Sequence, residues 1–169
     1  MNLYNLPIHK ESPKIINCII EIPKGTNAKY EYDNELGVFF YDRSLTSAFM
    51  YPCSYGFIPN TLGGDGDALD VLVYNHSPID RGTLVECTPI GALDMEDDGM
   101  KDYKILATPT CHVNKYTCLE DVNSLFLKIC SNFFQHYKDL NGKKVEVFDW
   151  HEKEMAYQII NESIKNDSP

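Results

Sequence analysis

The sequence predicts an α+β fold: a small closed or partly closed β-barrel with two principal helices packed outside it. Two observations carry this. Short apolar runs rich in β-branched and aromatic residues, punctuated by Gly, Pro, Asn and Asp, fill the chain as far as residue 110. A helical period appears only after residue 121, and strands early with helices late is the α+β order. A third observation bounds the size: 169 residues, 43% hydrophobic and 24% charged, suit one domain over 1–169 with a single core. The last residues, 166–169, read as a frayed tail.

Taken in order, Ile15 to Ile22 is a β-branched run stopped by Pro23, hence a strand, with Glu21 inside it as a solvent-facing residue. Lys29 to Asp33 and Gly37 to Arg43 flank a turn, Asp33-Asn34-Glu35-Leu36-Gly37, and form a hairpin. Lys29 and Glu31, two apart, share a strand face, either as a weak surface ion pair or as a phosphate contact beside a metal-facing carboxylate. Tyr51 to Pro59 is aromatic and proline-flanked, which suggests a rigid loop or an edge. Ala68 to Tyr74, Thr83 to Cys87, Ile90 to Met95 and Ile105 to Thr108 are further short strands. Val122, Leu125, Phe126, Ile129, Phe133 and Tyr137 recur at helical spacing behind Asp121 as N-cap, and Asn141-Gly142 stops that helix. Lys138 in its last turn suits the helix dipole. Lys143 to Trp150 is one more strand and Glu152 to Lys165 a second helix.

Fifteen basic against twenty-five acidic residues give a net charge of -10. That argues against nucleic-acid and anionic-membrane binding, both of which need a positive face. A small anionic substrate remains compatible, provided bound cations reverse the local sign. The six cysteines, at 18, 53, 87, 111, 118 and 130, lack C-x-x-C or Cys/His zinc spacing. No leader-like segment and no apolar run of membrane-spanning length is found, so reduced thiols in a cytoplasmic protein are expected.

The chemistry concentrates in Gly64-Asp65-Gly66-Asp67-Ala68-Leu69-Asp70, which runs straight into Val71-Leu72-Val73. Three carboxylates within six residues repel one another unless a cation neutralises them, and oxygen donors suit Mg2+ or Ca2+. A second acidic turn, Glu96 to Lys104, repeats the pattern before the next strand. Glu21, Glu31, Asp65, Asp67, Asp70, Asp97 and Asp102 stand against Lys29, Arg43, Lys104, Lys138 and the tyrosines 51, 55 and 137. Excess carboxylates with a few cations and phenols suit several Mg2+ ions holding a polyphosphate. G-x-S-x-G, the G-K-[ST] phosphate loop and H-E-x-x-H are all missing, and Leu69 at the fifth ligand position rules out an EF-hand. Composition and spacing therefore stop at a metal-dependent phosphoryl hydrolase. A non-catalytic barrel binding oligonucleotide or oligosaccharide and a calcium-stabilised structural domain are the rival classes. The first is opposed by charge. The second leaves Lys29, Arg43 and Lys138 unexplained.

Asp65-Gly66-Asp67-Ala68-Leu69-Asp70-Val71-Leu72-Val73 resembles the signature of the soluble family I inorganic pyrophosphatases. So do Ile20-Glu21-Ile22-Pro23, Lys29-Tyr30-Glu31, Asp42-Arg43, Tyr51 to Gly56, Asp97 to Lys104 and His136-Tyr137-Lys138-Asp139-Leu140, all in the family's order. The resemblance implies hydrolysis of pyrophosphate to two phosphates with several Mg2+ ions. It implies Asp65, Asp70 and Asp102 on one ion with Asp70 bridging to a second, Asp97 and Asp102 on a third, and Glu31 on a fourth. Asp67 would be the base, with Glu21 supporting the ligands from behind. Lys29, Arg43, Tyr55, Tyr137 and Lys138 would contact phosphate oxygens, with Lys104 and Tyr51 nearby. A five-stranded, OB-like β-barrel and a homohexamer are also implied. Two departures from the pattern stand out: Ala68 replaces a usual proline and Ser54 a common asparagine.

Overall fold

The computed structural model describes residues 2–165; the tail expected over 166–169 lies outside them. In chain order the elements are strands β1 (Ile16–Ile22), β2 (Ala28–Asp33), β3 (Val38–Ser44), β4 (Ser54–Phe57), β5 (Asp70–Val73), β6 (Leu84–Asp97), β7 (Met100–Lys101) and β8 (Lys104–Pro109). Helix α1 (Ser124–His136), strand β9 (Val145–Glu152) and helix α2 (Lys153–Ser163) follow. Among the described residues no helix is long and apolar enough to cross a membrane.

Strands β1, β4, β5, β8 and β6 are bonded in that order, and β6 returns to pair with β1, so five strands close a ring. All these pairings are antiparallel except β5 with β8. The expected α+β barrel with outer helices is therefore the fold adopted. Closure depends on β6. Thr83 to Cys87 and Ile90 to Met95, expected as two short strands, belong to one strand of 14 residues. Its first residues pair with β1 and its last with β9, and its register with β8 shifts between Pro89 and Gly91. Pro89 interrupts the ladder there without ending the strand, because a bulge absorbs a missing donor.

Alternate residues of β5 and β8 go to opposite faces, as strand geometry requires. Leu72 and Leu106 join a cluster with Phe133 and Phe134 of α1. Val71, Val73, Ile105 and Ala107 join another with Ile159 and Ile160 of α2. Each fully buried Val, Leu, Ile or Phe side chain among them contributes about 1.5–3 kcal/mol. Helix α1 is capped by Asn123, whose side chain accepts from the Leu125 N–H at 2.8 Å, rather than by Asp121. The buried side of α1 is also rotated from the expected stripe: Cys130, Phe133 and Phe134 are buried, whereas Leu125 is 61% and Ile129 48% exposed. The adjacent phenylalanines set the face, and Leu125 and Ile129 turn outward as a result.

The segment expected as a loop or edge, Tyr51 to Pro59, contains β4, an interior strand between β1 and β5. Pro52 and Pro59 fall just outside Ser54–Phe57, so the strand keeps its backbone donors. The β2–β3 hairpin forms a two-stranded sheet of its own.

Candidate active site

The acidic loop between β4 and β5 is folded by its own backbone. The Gly63 N–H donates to the Asp67 carbonyl at 2.6 Å, and the Asp67 N–H donates to Asp65 Oδ1 at 3.1 Å. Gly66 has φ +93°, a left-handed conformation that a side chain would strain. Gly64 answers a different need: a Cβ there would sit 2.8 Å from the Lys101 carbonyl, so only glycine lets the loop approach the second acidic turn. Behind the loop, buried Thr61 donates to the Ile58 carbonyl at 2.6 Å and accepts from the Leu69 N–H at 2.9 Å, which fixes the entry to β5.

Parallel pairing of β5 with β8 places Asp70 beside Lys104, the first residues of the two strands. The Lys104 ammonium, 3% exposed, donates to Asp70 Oδ2 at 2.5 Å and to both oxygens of Asp102 at 2.6 and 2.7 Å. Lys138, just beyond α1, pairs with Asp97 at the end of β6. Lys29 pairs with Glu31 and lies 3.5 Å from Asp42. Tyr137 caps the C-terminus of α1 and stacks on Phe133, ring centroids 5.2 Å apart.

Thirteen of the fourteen residues singled out from the sequence line one cleft of about 580 Å³. These are Glu21, Lys29, Glu31, Tyr51, Tyr55, Asp65, Asp67, Asp70, Asp97, Asp102, Lys104, Tyr137 and Lys138. Arg43 is not in the lining; it pairs with Asp42 and its side chain is 41% exposed. Tyr4 is a wall residue that sequence reasoning missed. Its ring packs on Phe57 at 4.5 Å and Tyr32 at 5.3 Å, contacts from an N-terminal turn that carries no motif.

Burial governs the charges. Glu21, expected at the surface, is buried instead, because the β2–β3 hairpin covers its end of β1; Glu21 Oε1 accepts the Tyr32 N–H at 2.9 Å. Burial pushes its carboxyl up to about 8, against the lowering effect of that hydrogen bond. Burial likewise raises Asp102 to about 6 although Lys104 opposes it, and raises Asp67 with help from Asp65, Asp70 and Glu31. For Lys104 burial pulls downward, but Asp70 and Asp102 prevail and hold the ammonium charged. Burial keeps Tyr51, Tyr55 and Tyr137 protonated, as hydrogen-bond donors.

The Glu21 shift yields a pH prediction. Its folded value lies above the ordinary glutamate value of 4.5, so between 4.5 and about 8 the folded state binds more protons than the unfolded. Stability of chelated protein therefore falls as pH rises through that window. Glu21→Gln keeps an acceptor for Tyr32 and removes the buried charge. The chelated variant is expected to melt higher than wild type by a few degrees near pH 8.5, from about 1–2 kcal/mol, and to show no gain near pH 5. Thermal denaturation at the two pH values checks this.

The donor set fits hard divalent cations, being all carboxylate oxygen. Asp97 Oδ1 is buried and lacks a hydrogen-bond partner, an atom that a cation would satisfy. Among the described residues no three acidic, His or Cys side chains form a ready cage, since lysines stand between the carboxylates.

Comparison with known proteins bears on this geometry. The profile of the family described as Inorganic pyrophosphatase matches residues 18–168. Inorganic pyrophosphatase of Xylella fastidiosa (strain 9a5c) is 43% identical over 159 residues, 90% of this chain and 89% of its own length. That of Rickettsia bellii is 44% identical, covering 89% of both chains. The crystal structure of inorganic pyrophosphatase from Thermus thermophilus superposes with a TM-score of 0.93 at 36% identity, covering 97% of both chains. A sequence match across most of the chain and a fold match over nearly all of it lead to one conclusion: the chain belongs to the inorganic pyrophosphatase family.

Proposed function

We propose that the protein hydrolyses inorganic pyrophosphate to two orthophosphates in a metal-dependent reaction, with residues 1–169 as one pyrophosphatase domain and Mg2+ as the metal. Family membership supports the reaction. One observation carries the assignment of the site: two acidic segments, the second ending in Lys104, meet in one cleft with Lys29 from β2 and Lys138 from just beyond α1. Pyrophosphate is a compact polyanion. A cleft this acidic accepts it only together with cations, and three positioned lysines suit its outer oxygens.

Asp65, Asp70, Asp97, Asp102 and Glu31 would hold the ions. Bound divalent ions supply water activation near neutral pH and neutralise charge on the leaving phosphate. Asp67 takes the proton from the attacking water, a role suited to a carboxylate whose proton affinity is already raised. Lys29, Lys138, Tyr55 and Tyr137 bind and orient the phosphoryl oxygens, with Lys104 and Tyr51 beside them. Charge neutralisation and positioning dominate phosphoryl transfer, which leaves the protein little covalent work. Glu21 holds the Tyr32 backbone and with it the strand that carries Glu31.

Arg43, which pairs across the hairpin with Lys29, is assigned to phosphate oxygens. Arg43→Ala is expected to raise KM for pyrophosphate about tenfold without recovery in excess Mg2+, as for loss of a charge-assisted contact. Full rescue by metal in steady-state assays would contradict a direct contact. The same reading carries a cytoplasmic homohexamer, in which the outward Leu125 and Ile129 of α1 are apolar surface that a second copy would cover.

Phosphate release from pyrophosphate, with Mg2+ and with chelator, tests the function. Release is expected with Mg2+ alone. Intact pyrophosphate after incubation with metal-replete protein would end the proposal.

A further inference from the structure

The β2–β3 hairpin brings Lys29 and Glu31 to the cleft, yet it forms its own two-stranded sheet rather than joining the barrel. Something other than a strand ladder must fix its pose. Its two faces differ. Tyr30, Tyr32, Phe39 and Tyr41 lie together on one, with the Tyr30–Tyr41 and Tyr32–Phe39 ring pairs 5.7 and 5.2 Å apart. Lys29, Glu31 and Asp42 associate on the other.

We propose that Arg81 is a positioning residue that clamps the aromatic face of this hairpin to β1 and so sets how Lys29 and Glu31 reach into the cleft. Arg81 lies in the connection between β5 and β6. The next residue anchors that connection, the Gly82 N–H donating to the Ile20 carbonyl at 2.8 Å. Arg81 Nε donates to the Glu21 carbonyl at 2.9 Å, and its guanidinium carbon lies 3.1 Å from the centre of the Tyr30 ring. A planar guanidinium both stacks and donates, which a lysine ammonium cannot do in one place. Glu21 thus holds the hairpin through its side chain at Tyr32, while its backbone carbonyl holds Arg81 against Tyr30. Tyr30 lies between Lys29 and Glu31 in sequence, so a slip at its ring moves both. Displacement of an orienting group by about 1 Å is costly in catalysis even far from the chemistry.

This inference rests on the reading of Lys29 as a phosphate contact, and the test separates the two. Steady-state hydrolysis of Mg2+-pyrophosphate is measured for Arg81→Ala, Lys29→Ala and Lys138→Ala and for the doubles Arg81→Ala/Lys29→Ala and Arg81→Ala/Lys138→Ala, with thermal denaturation of each. Arg81→Ala is expected to raise KM about tenfold and to change kcat less than about threefold, as for lost substrate positioning. Combined with Lys29→Ala it should add less than about twofold, because the clamp acts through that lysine. Combined with Lys138→Ala, on the other wall, the effects should multiply. Tyr30→Leu removes the other half of the clamp and should give the same KM pattern, which keeps the test open should Arg81→Ala fail to fold. Multiplying effects in both doubles would overturn the clamp and leave the Lys29 assignment intact. A Lys29→Ala variant with wild-type KM would overturn that assignment and the clamp with it.

Discussion

Asp67→Asn is expected to lose about three orders of magnitude in kcat while keeping most of its metal binding, since a positioned general base is worth about 10²–10⁴-fold. The acidic loop supports the split. Asp67 is held by backbone contacts on both sides, its N–H on Asp65 Oδ1 and its carbonyl on the Gly63 N–H, and neither uses its own carboxylate. Asparagine therefore fits the loop unchanged, and Asp65, Asp70 and Asp102 remain to take the ions. Phosphate release gives kcat and calorimetric Mg2+ titration gives the affinity. Normal turnover in this variant would remove the base assignment; collapse of metal affinity would make Asp67 a ligand instead.

The second large effect concerns Lys104. Its ammonium lies between Asp70 and Asp102, deep enough that water cannot replace it. Lys104→Met leaves two facing carboxylates without their cation, and breaking a buried pair costs about 3–5 kcal/mol. In chelator the variant is expected to melt about 6–12 °C below wild type, a shift of the size that about 3 kcal/mol gives a domain of this length. Added Mg2+ should recover part of the loss, because a divalent ion answers the same repulsion. Denaturation scans with and without Mg2+ check both halves. Equal destabilisation in both conditions would mean that the stem of Lys104 matters for packing and its charge does not.

How much of this was legible in the sequence follows from the range of the interactions. Local patterns were readable: the hairpin turn, the acidic loop and the switch to a helical period. Asp65, Asp67 and Asp70 announced themselves because mutual repulsion within one loop is a local property. Glu21 did not, because its burial comes from the hairpin that folds over it, and a lone acid in a strand reads as exposed. Thr83 to Cys87 and Ile90 to Met95 read as two strands for a similar reason, since the bulge that carries β6 through Pro89 depends on the strands on either side. Leu125 and Ile129 followed the helical period yet face outward, because periodicity does not say which of two adjacent apolar rows the core will take. The resemblance to a family supplied what spacing alone could not, a common destination for segments scattered from Glu21 to Lys138.

The pairing of β5 with β8 bears on how activity returns after denaturation. Asp70 and Lys104 lie 34 positions apart, and parallel neighbours cannot be joined by a tight turn, so the pair must await the excursion through β6. Contacts of such long sequence separation are slow to form. Recovered hydrolysis in a refolding experiment should therefore lag behind recovered secondary structure, and the enzyme's own turnover becomes a clock for closure of its ring of strands.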